Sequence, residues 1–424
     1  MTDSLSFLDQ KVRSGPWLAA LLLMLTVFGP ISMDLYLPAL PALTAELGAE
    51  TSMAQLTVTA CLLGLAGGQL IAGPVSDRFG RRRPLLFGVA AYVVVSALCA
   101  ASPSVELLIL ARLVQGLAGG VGIVIAQAAG RDVYNGGQLI RFYGRLTVVG
   151  GFAAIVGPLI GGALSAVLHW RGLFLVLALI GALILGSVVF GFRETLPKVS
   201  RSSGGFEQVR HDIRVLLGDR TFVGAVLVQG FVYAALFAYL SGATYVLQGV
   251  YGLSPQQYAM AFGLNSAGFM VFGYLAGRSS EKWSIKGTLT IGLAMCAVGA
   301  AGMLLAGLTH VPLAVVMASL LVLVSGTAVT SPPSTTLALA GYPNIAGAAS
   351  SFLGAARFAF GGVAAPLVGL AGALSILPLG LVMAVSVILA AVTGFAVLPR
   401  STRRAPSSAD SAEPSRERVG APVD

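Results

Sequence analysis

Asp34, Arg112 and Arg357 stand inside long apolar runs of the chain. An ionisable side chain in such a run is expensive unless it faces a partner or a water-filled cavity. A lone carboxyl there suits reversible proton binding, because desolvation and a nearby cation move its proton affinity in opposite directions. Asp34 is therefore read as a proton carrier, or else as a residue that faces water near the end of its run. Arg112, within Arg112-Leu-Val-Gln115-Gly116, either acts on that carboxyl or reaches back along its long stem to an interface. Arg357, within Gly354-Ala-Ala-Arg357-Phe358, is suited to an anionic or polar ligand, or to bonding backbone carbonyls.

A second constellation is the loop Gly73-Pro-Val-Ser-Asp77-Arg78-Phe-Gly80-Arg81-Arg82-Arg83. One acid lies inside a basic cluster and is framed by glycines. Gly73 allows close helix approach and Gly80 a tight turn, so Asp77 can pair with a cation such as Arg78 or Arg81, or cap a neighbouring helix. Such a pair can break and re-form between two states, although simple anchoring by positive charge explains the same residues. A third pattern, Gly157-Pro158-Leu-Ile-Gly161-Gly162, puts glycines on one helix face beside a proline that bends the helix. Ordinary glycine-rich packing accounts for it equally.

No zinc-protease HExxH, no GxSxG nucleophile turn, no paired acids in an apolar run and no GxxxxGK[ST] phosphate loop occur. The sequence therefore predicts neither an enzyme nor an ATP-driven machine, and no cofactor or metal. Cys61, Cys99 and Cys296 have no ligand spacing and read as small buried hydrophobes. His169, His211 and His310 lie at loops or run ends and carry no assigned chemistry.

The elements that position these residues follow from composition. The chain of 424 residues is 56% hydrophobic and 10% charged, where a soluble domain carries roughly 25% charged residues. Such a deficit is expected when the outer surface faces lipid. Reading for stretches of about 20 apolar residues gives twelve: 17–40, 52–76, 84–101, 106–130, 143–167, 172–192, 221–247, 255–278, 286–307, 311–335, 343–370 and 374–398. The fold class is thus an all-α membrane protein. Residues 17–192 form one six-helix bundle, 193–220 a polar linker and 221–398 a second bundle. Residues 1–16 and 399–424 are polar ends, the latter expected to be disordered.

Lys and Arg gather on one side of these spans. They include Arg78, Arg81, Arg82 and Arg83, then Arg131, Arg141 and Arg145, the linker, and Arg278, Lys282 and Lys286. Asp34, Glu46, Glu50 and Glu106 fall on the other, with Arg171 its only basic residue. The basic side is expected to be cytoplasmic, with both termini, in a cell membrane. The net charge of +9 is then topology and not a nucleic-acid surface. At about 1.5 Å per residue, Asp34 and Arg112 fall at similar depths in the outer half, close enough to influence one another.

The loop Gly73–Arg83 resembles the signature loop of the major facilitator superfamily. The second-half run Gly273-Tyr-Leu-Ala-Gly277-Arg278 is a degenerate copy lacking the aspartate. Arg112-Leu-Val-Gln115-Gly116 is similar to the fourth-helix motif linked there to proton transfer, and Gly157–Gly162 to the antiporter motif of its drug exporters, with Ala153 replacing one glycine. Ser32–Pro41, Tyr239–Pro255 and Arg131-Asp132-Val133 resemble the Bcr/CflA group of drug:proton antiporters, which includes bicyclomycin and chloramphenicol-type exporters. The resemblance implies two bundles around a central cavity and export of a small amphipathic compound, a drug or antibiotic, in exchange for protons by alternating access, with the compound, protons and the lipid bilayer as its partners and no nucleic acid. A monomer is the family default. Cavity candidates are Gln229, Tyr233, Phe237, Tyr239, Asn265 and Arg357. Uptake of a nutrient or metabolite by the same fold is the alternative.

Overall fold

The computed structural model describes residues 16–134, 136–197, 201, 205–279, 284–309, 311–342, 345–369 and 375–397. The expectations for residues 1–15 and 399–424, and those for Lys282 and His310, lie outside these. Every element is helical among the described residues. The first half holds α1 (Pro16–Asp34), α2 (Leu40–Glu46), α3 (Thr51–Phe79), α4 (Arg82–Ala101), α5 (Val105–Val133), α6 (Gly136–Ser165) and α7 (Trp170–Gly191). After α8 (Gly205–Gly218) come α9 (Arg220–Tyr245), α10 (Pro255–Ser279), α11 (Ile285–Leu308), α12 (Leu313–Leu339), α13 (Ala346–Gly369) and α14 (Leu377–Val397).

Ten of these helices are individually long and apolar enough to cross a membrane, and the bent pair Pro16–Gly29 and Ile31–Glu46, meeting at 40°, makes an eleventh. The 30-residue α6, whose apolar end is Val156–Ser165, corresponds to the remaining expected span. Large apolar side chains such as Phe87, Phe190, Leu183, Val298 and Phe395 point outward. In water that surface would be a liability, and in lipid it is the expected one.

Two boundaries differ from the sequence expectation. The first span does not run on to residue 40: α1 ends at Asp34, and a 3-10 turn over Leu37–Ala39 leads into α2. Pro38 and Pro41 lack the amide hydrogens that a continuous helix needs, which breaks the run there. The polar linker is not wholly irregular either, because α8 lies within it and packs on α3, α9 and α13.

Helix starts are fixed by local capping. Ser104 accepts from the Leu107 amide, Asp219 from Thr221 and Ser284 from Gly287, each satisfying an amide that has no partner within its helix. The tightest packing is α3 against α5. A Cβ on Gly64 would lie 2.2 Å from the Leu113 carbonyl oxygen, and one on Gly116 2.1 Å from that of Cys61. Only glycine permits this approach, and it sets the height and rotation of Arg112 on α5.

The halves meet through α3 with α13 and α6 with α10. At the Glu46 end one continuous buried apolar cluster runs from Met33, Leu35, Leu40 and Leu43 to Tyr245, Leu247, Tyr258 and Phe262. Polar bonds reinforce the seal: Thr44 with Tyr245 at 2.8 Å, and Gln248 donating to the Pro38 carbonyl at 3.1 Å. Toward the Arg81 end, separate clusters around Leu22, Tyr92 and Phe142 and around Leu216, Phe222 and Leu353 stay within their own halves. The molecule is therefore closed at the Glu46 end.

Candidate functional site

Arg112 has no exposed surface. Its Nη1 donates to the Ser32 carbonyl at 3.0 Å and to Gln115 Oε1 at 2.5 Å, while its Nη2 lies 3.9 Å from Met33 Sδ. Gln115 Nε2 donates to Ser96 Oγ at 2.7 Å, Ser96 Oγ donates to the Tyr92 carbonyl at 2.7 Å, and the Tyr92 hydroxyl meets Ser32 Oγ at 2.6 Å. The result is a closed ring of polar contacts joining α1, α4 and α5. The guanidinium carbon also lies 4.4 Å from the Tyr36 ring centroid and 5.6 Å from that of Phe174, a favourable environment for a desolvated cation. Arg112 Nε has no hydrogen-bond partner among the described residues.

Asp34 lies just beyond this ring. Arg112 grips the backbone two residues earlier, and no ion pair joins the two side chains among the described residues. In this closed state the end of α1 turns the Asp34 side chain toward α6 and away from the guanidinium. The carboxyl is buried and makes no hydrogen bond among the described residues. It packs on the glycine face of α6: a Cβ on Gly157 would lie 3.1 Å from Asp34 Cβ, and one on Gly161 would lie 2.1 Å from the Leu35 carbonyl oxygen. Gly162 faces the second half instead, where a Cβ would come within 2.5 Å of Ala259 Cβ. Pro158 is accommodated inside α6. The Gly157–Gly162 segment thus holds the Asp34 turn on one side and the opposite bundle on the other.

The six cavity candidates divide into two groups. Gln229, Tyr233 and Arg357 come together. With its oxygen toward the guanidinium, the Gln229 amide accepts from Arg357 Nη2 at 2.7 Å and Nε at 3.1 Å, and from Ser331 Oγ at 3.2 Å; the reverse orientation sets donors against donors. Arg357 Nη2 also donates to Thr335 Oγ1 at 3.2 Å, and its guanidinium carbon lies 5.1 Å from the Tyr233 ring centroid. Tyr239 and Asn265 form a separate buried pair, with Asn265 Nδ2 donating to the Tyr239 hydroxyl at 3.0 Å and Tyr239 stacked on Phe262. Phe237 is buried against Gly361 and the Phe358 ring. These last three seal the interior in this state and do not line open space. Sealing by aromatics and cavity lining look alike in sequence.

At the opposite end, Arg81 Nη1 meets Asp77 at 2.5 Å and Ser76 at 2.7 Å, and its Nε meets Asp132 at 3.0 Å. Burial opposes the guanidinium charge, but the bond and charge of Asp132, with those of Asp77, outweigh it and raise the Arg81 pKa. Glu194, which the sequence did not single out, accepts from the backbone amides of Arg81 at 2.7 Å and Arg82 at 3.3 Å at the start of α4. Gly80 has φ of +88°, and a Cβ there would lie 2.4 Å from Glu194 Oε2. Arg78 is exposed and rests beside Phe79. A Cβ on Gly73 meets nothing within 4 Å among the described residues, so no close helix approach is made there by them.

A sequence profile of the Major Facilitator Superfamily matches residues 22–366. The chain is 35% identical over 380 residues to the uncharacterized MFS-type transporter YdgK of Bacillus subtilis, covering 89% of this chain and 94% of that one. It is 29% identical over 347 residues to a bicyclomycin resistance protein homolog of Haemophilus influenzae, covering 81% and 86%. The crystal structure of a D-xylose-proton symporter superposes with a TM-score of 0.71 at 16% identity, over 90% of this chain and 98% of that one; at that identity the likeness is one of fold alone.

Proposed function

This chain belongs to the Major Facilitator Superfamily, and we propose that within it the protein is an exporter of small amphipathic compounds, driven by exchange for protons across the cell membrane. The membrane, the monomeric state and the cytoplasmic placement of the Arg81 end and both termini are part of the same reading. The observation that carries it is the setting of Asp34: a carboxyl out of water, bonded to no donor or cation among the described residues, at the turn where the first half contacts the second. A carboxyl so placed is accommodated as the neutral acid. Opening of the Glu46 end would return it to water, where it ionises. That difference between two states couples a proton to the conformational change.

The remaining parts have roles in the same cycle. The Arg112–Gln115 ring fixes the α1 turn that presents Asp34. Gly157 and Gly161 let α6 follow that turn. The Arg81, Asp77 and Asp132 cluster, with Gly80 and the exposed Arg78, forms a latch at the other end that must rearrange as the halves rock. The name of the Haemophilus relative supports an antibiotic as cargo, and Tyr233, Gln229 and Arg357 supply the mixed aromatic and polar wall that such compounds require.

The test is reconstitution into proteoliposomes with an imposed pH gradient. Chloramphenicol or bicyclomycin should move against the proton flow, and collapse of the gradient should stop it. Movement that ignores the gradient, or accumulation in the same direction as protons, would overturn the reading.

A further inference from the structure

Arg112 and Arg357 are both cations deep within helices, but their surroundings differ in kind. Arg112 is sealed, with backbone, amide and two aromatic faces around it. Arg357 is only half-buried. It stands midway along the 24 residues of α13, about 18 Å from either end, too deep for its side chain to reach an interface. A half-buried charge at that depth must face a cavity and not lipid.

No carboxylate pairs with it among the described residues. Between 221 and 398 the sequence has a single acid, Glu281, in the connection between α10 and α11. The partners of Arg357 are neutral: the Gln229 amide oxygen, the Thr335 hydroxyl and the Tyr233 ring. Gln229 holds the edge formed by Nε and Nη2, which fixes the plane of the guanidinium. Nη1 meets no acceptor among the described residues, and no backbone carbonyl bonds Arg357 there, so the purely structural role is not taken up. A guanidinium held in a fixed plane with Nη1 unfilled can donate a charge-assisted hydrogen bond to an anion there. Tyr233 lies against it and packs on the buried Phe237 ring at a centroid distance of 6.2 Å, and Phe237 packs in turn on Phe358 at 5.8 Å.

We propose that Arg357 seats a carboxylate on the transported compound, so that an aromatic monocarboxylate is carried in preference to its uncharged counterpart. The aromatic body lies toward Tyr233 and Phe358, and the carboxylate takes the Nη1 edge. This deepens the export reading and rests on it for the direction of movement; the binding step itself requires no proton coupling.

The experiment uses purified full-length protein and a matched pair of probes, 1-naphthoate and the uncharged 1-naphthamide, with equilibrium binding measured for each. Wild type should prefer naphthoate by about 10- to 100-fold, the range of a charge-assisted bond in a desolvated site. Arg357→Gln should abolish the preference while naphthamide binding persists, which also shows that the variant is folded. Arg357→Lys should keep part of the preference, and wild type alone decides the matter if the Gln variant does not fold. Equal binding of the two probes by wild type, a preference that survives Arg357→Gln, or no binding of either probe overturns the proposal. Loss of proton-driven export with the preference intact would remove the transport reading and leave this one. Proton-driven export of a neutral drug without any preference would do the reverse.

Discussion

Gly162→Ala is expected to shift the balance between the two conformations. A Cβ at that position would lie 2.5 Å from Ala259 Cβ and 3.0 Å from the Pro255 carbonyl oxygen, both in the opposite half. The first distance is about 1 Å short of ordinary contact. The added methyl is therefore resisted only where α6 meets α10, in the state closed at the Glu46 end. Overpacking of this kind costs about 1–3 kcal/mol, which is about a 5- to 150-fold shift in a two-state equilibrium. Replacing a helical glycine by alanine also favours the helix by up to about 1 kcal/mol, but equally in both states. Spin labels on cysteines at Ala45 and Val250, both exposed near the sealed end, would report the distance between the halves. Gly162→Ala should transfer population to a longer distance. Gly186→Ala, where a Cβ meets nothing within 4 Å, should leave the distribution unchanged. Identical distributions for the two variants would refute the claim that Gly162 spaces the halves.

Other expectations concern the network around α1 and the latch. Gly161→Ala collides with Leu35 within one half and should lower thermal stability in every state, read as a reduced Tm in detergent. Arg112→Ala strands the Ser32 carbonyl, at about 1–3 kcal/mol, and leaves Gln115 Oε1 only the weak Cys99 thiol donor, whereas Asp34→Asn removes no bond and should leave Tm nearly unchanged. Arg81→Ala breaks a largely buried pairing with Asp132 and a half-exposed one with Asp77, and should cost about 3 kcal/mol, while Arg78→Ala should fall within about 0.5 kcal/mol of wild type. Burial first, then the bond to Asp219, raises the Tyr342 phenol to about 12. The raised value means that the link is complete below the ordinary tyrosine pKa of about 10 and is lost as pH rises through the folded value. Tyr342→Phe should remove that alkaline drop in Tm.

The spans were legible because lipid imposes one requirement on every outward face, and a run of about 20 apolar residues is its direct record. The end of α1 was not read correctly: apolar residues continue through Leu35, Leu37 and Leu40, and the break comes from prolines inside the run. The amphipathic α8 was hidden in the polar linker, because its short apolar face packs on the bundle instead of spanning. Arg112 and Gln115 stood out as polar residues in an apolar run, but their partners Ser32, Ser96 and Tyr92 did not. Serine and tyrosine are common in membrane helices, and which ones meet depends on the α3–α5 approach and the rotation it sets. Glu194 escaped notice for the opposite reason: it lies among many linker charges, and only the fold brings it over the start of α4.

The most direct test of proton coupling is proton release on cargo binding, measured by a pH indicator in weakly buffered solution with purified wild type and Asp34→Asn. The account predicts that wild type releases protons as the exported compound binds, and that Asp34→Asn binds the compound with no release. Equal release by both proteins would contradict it and place the exchangeable proton on another residue.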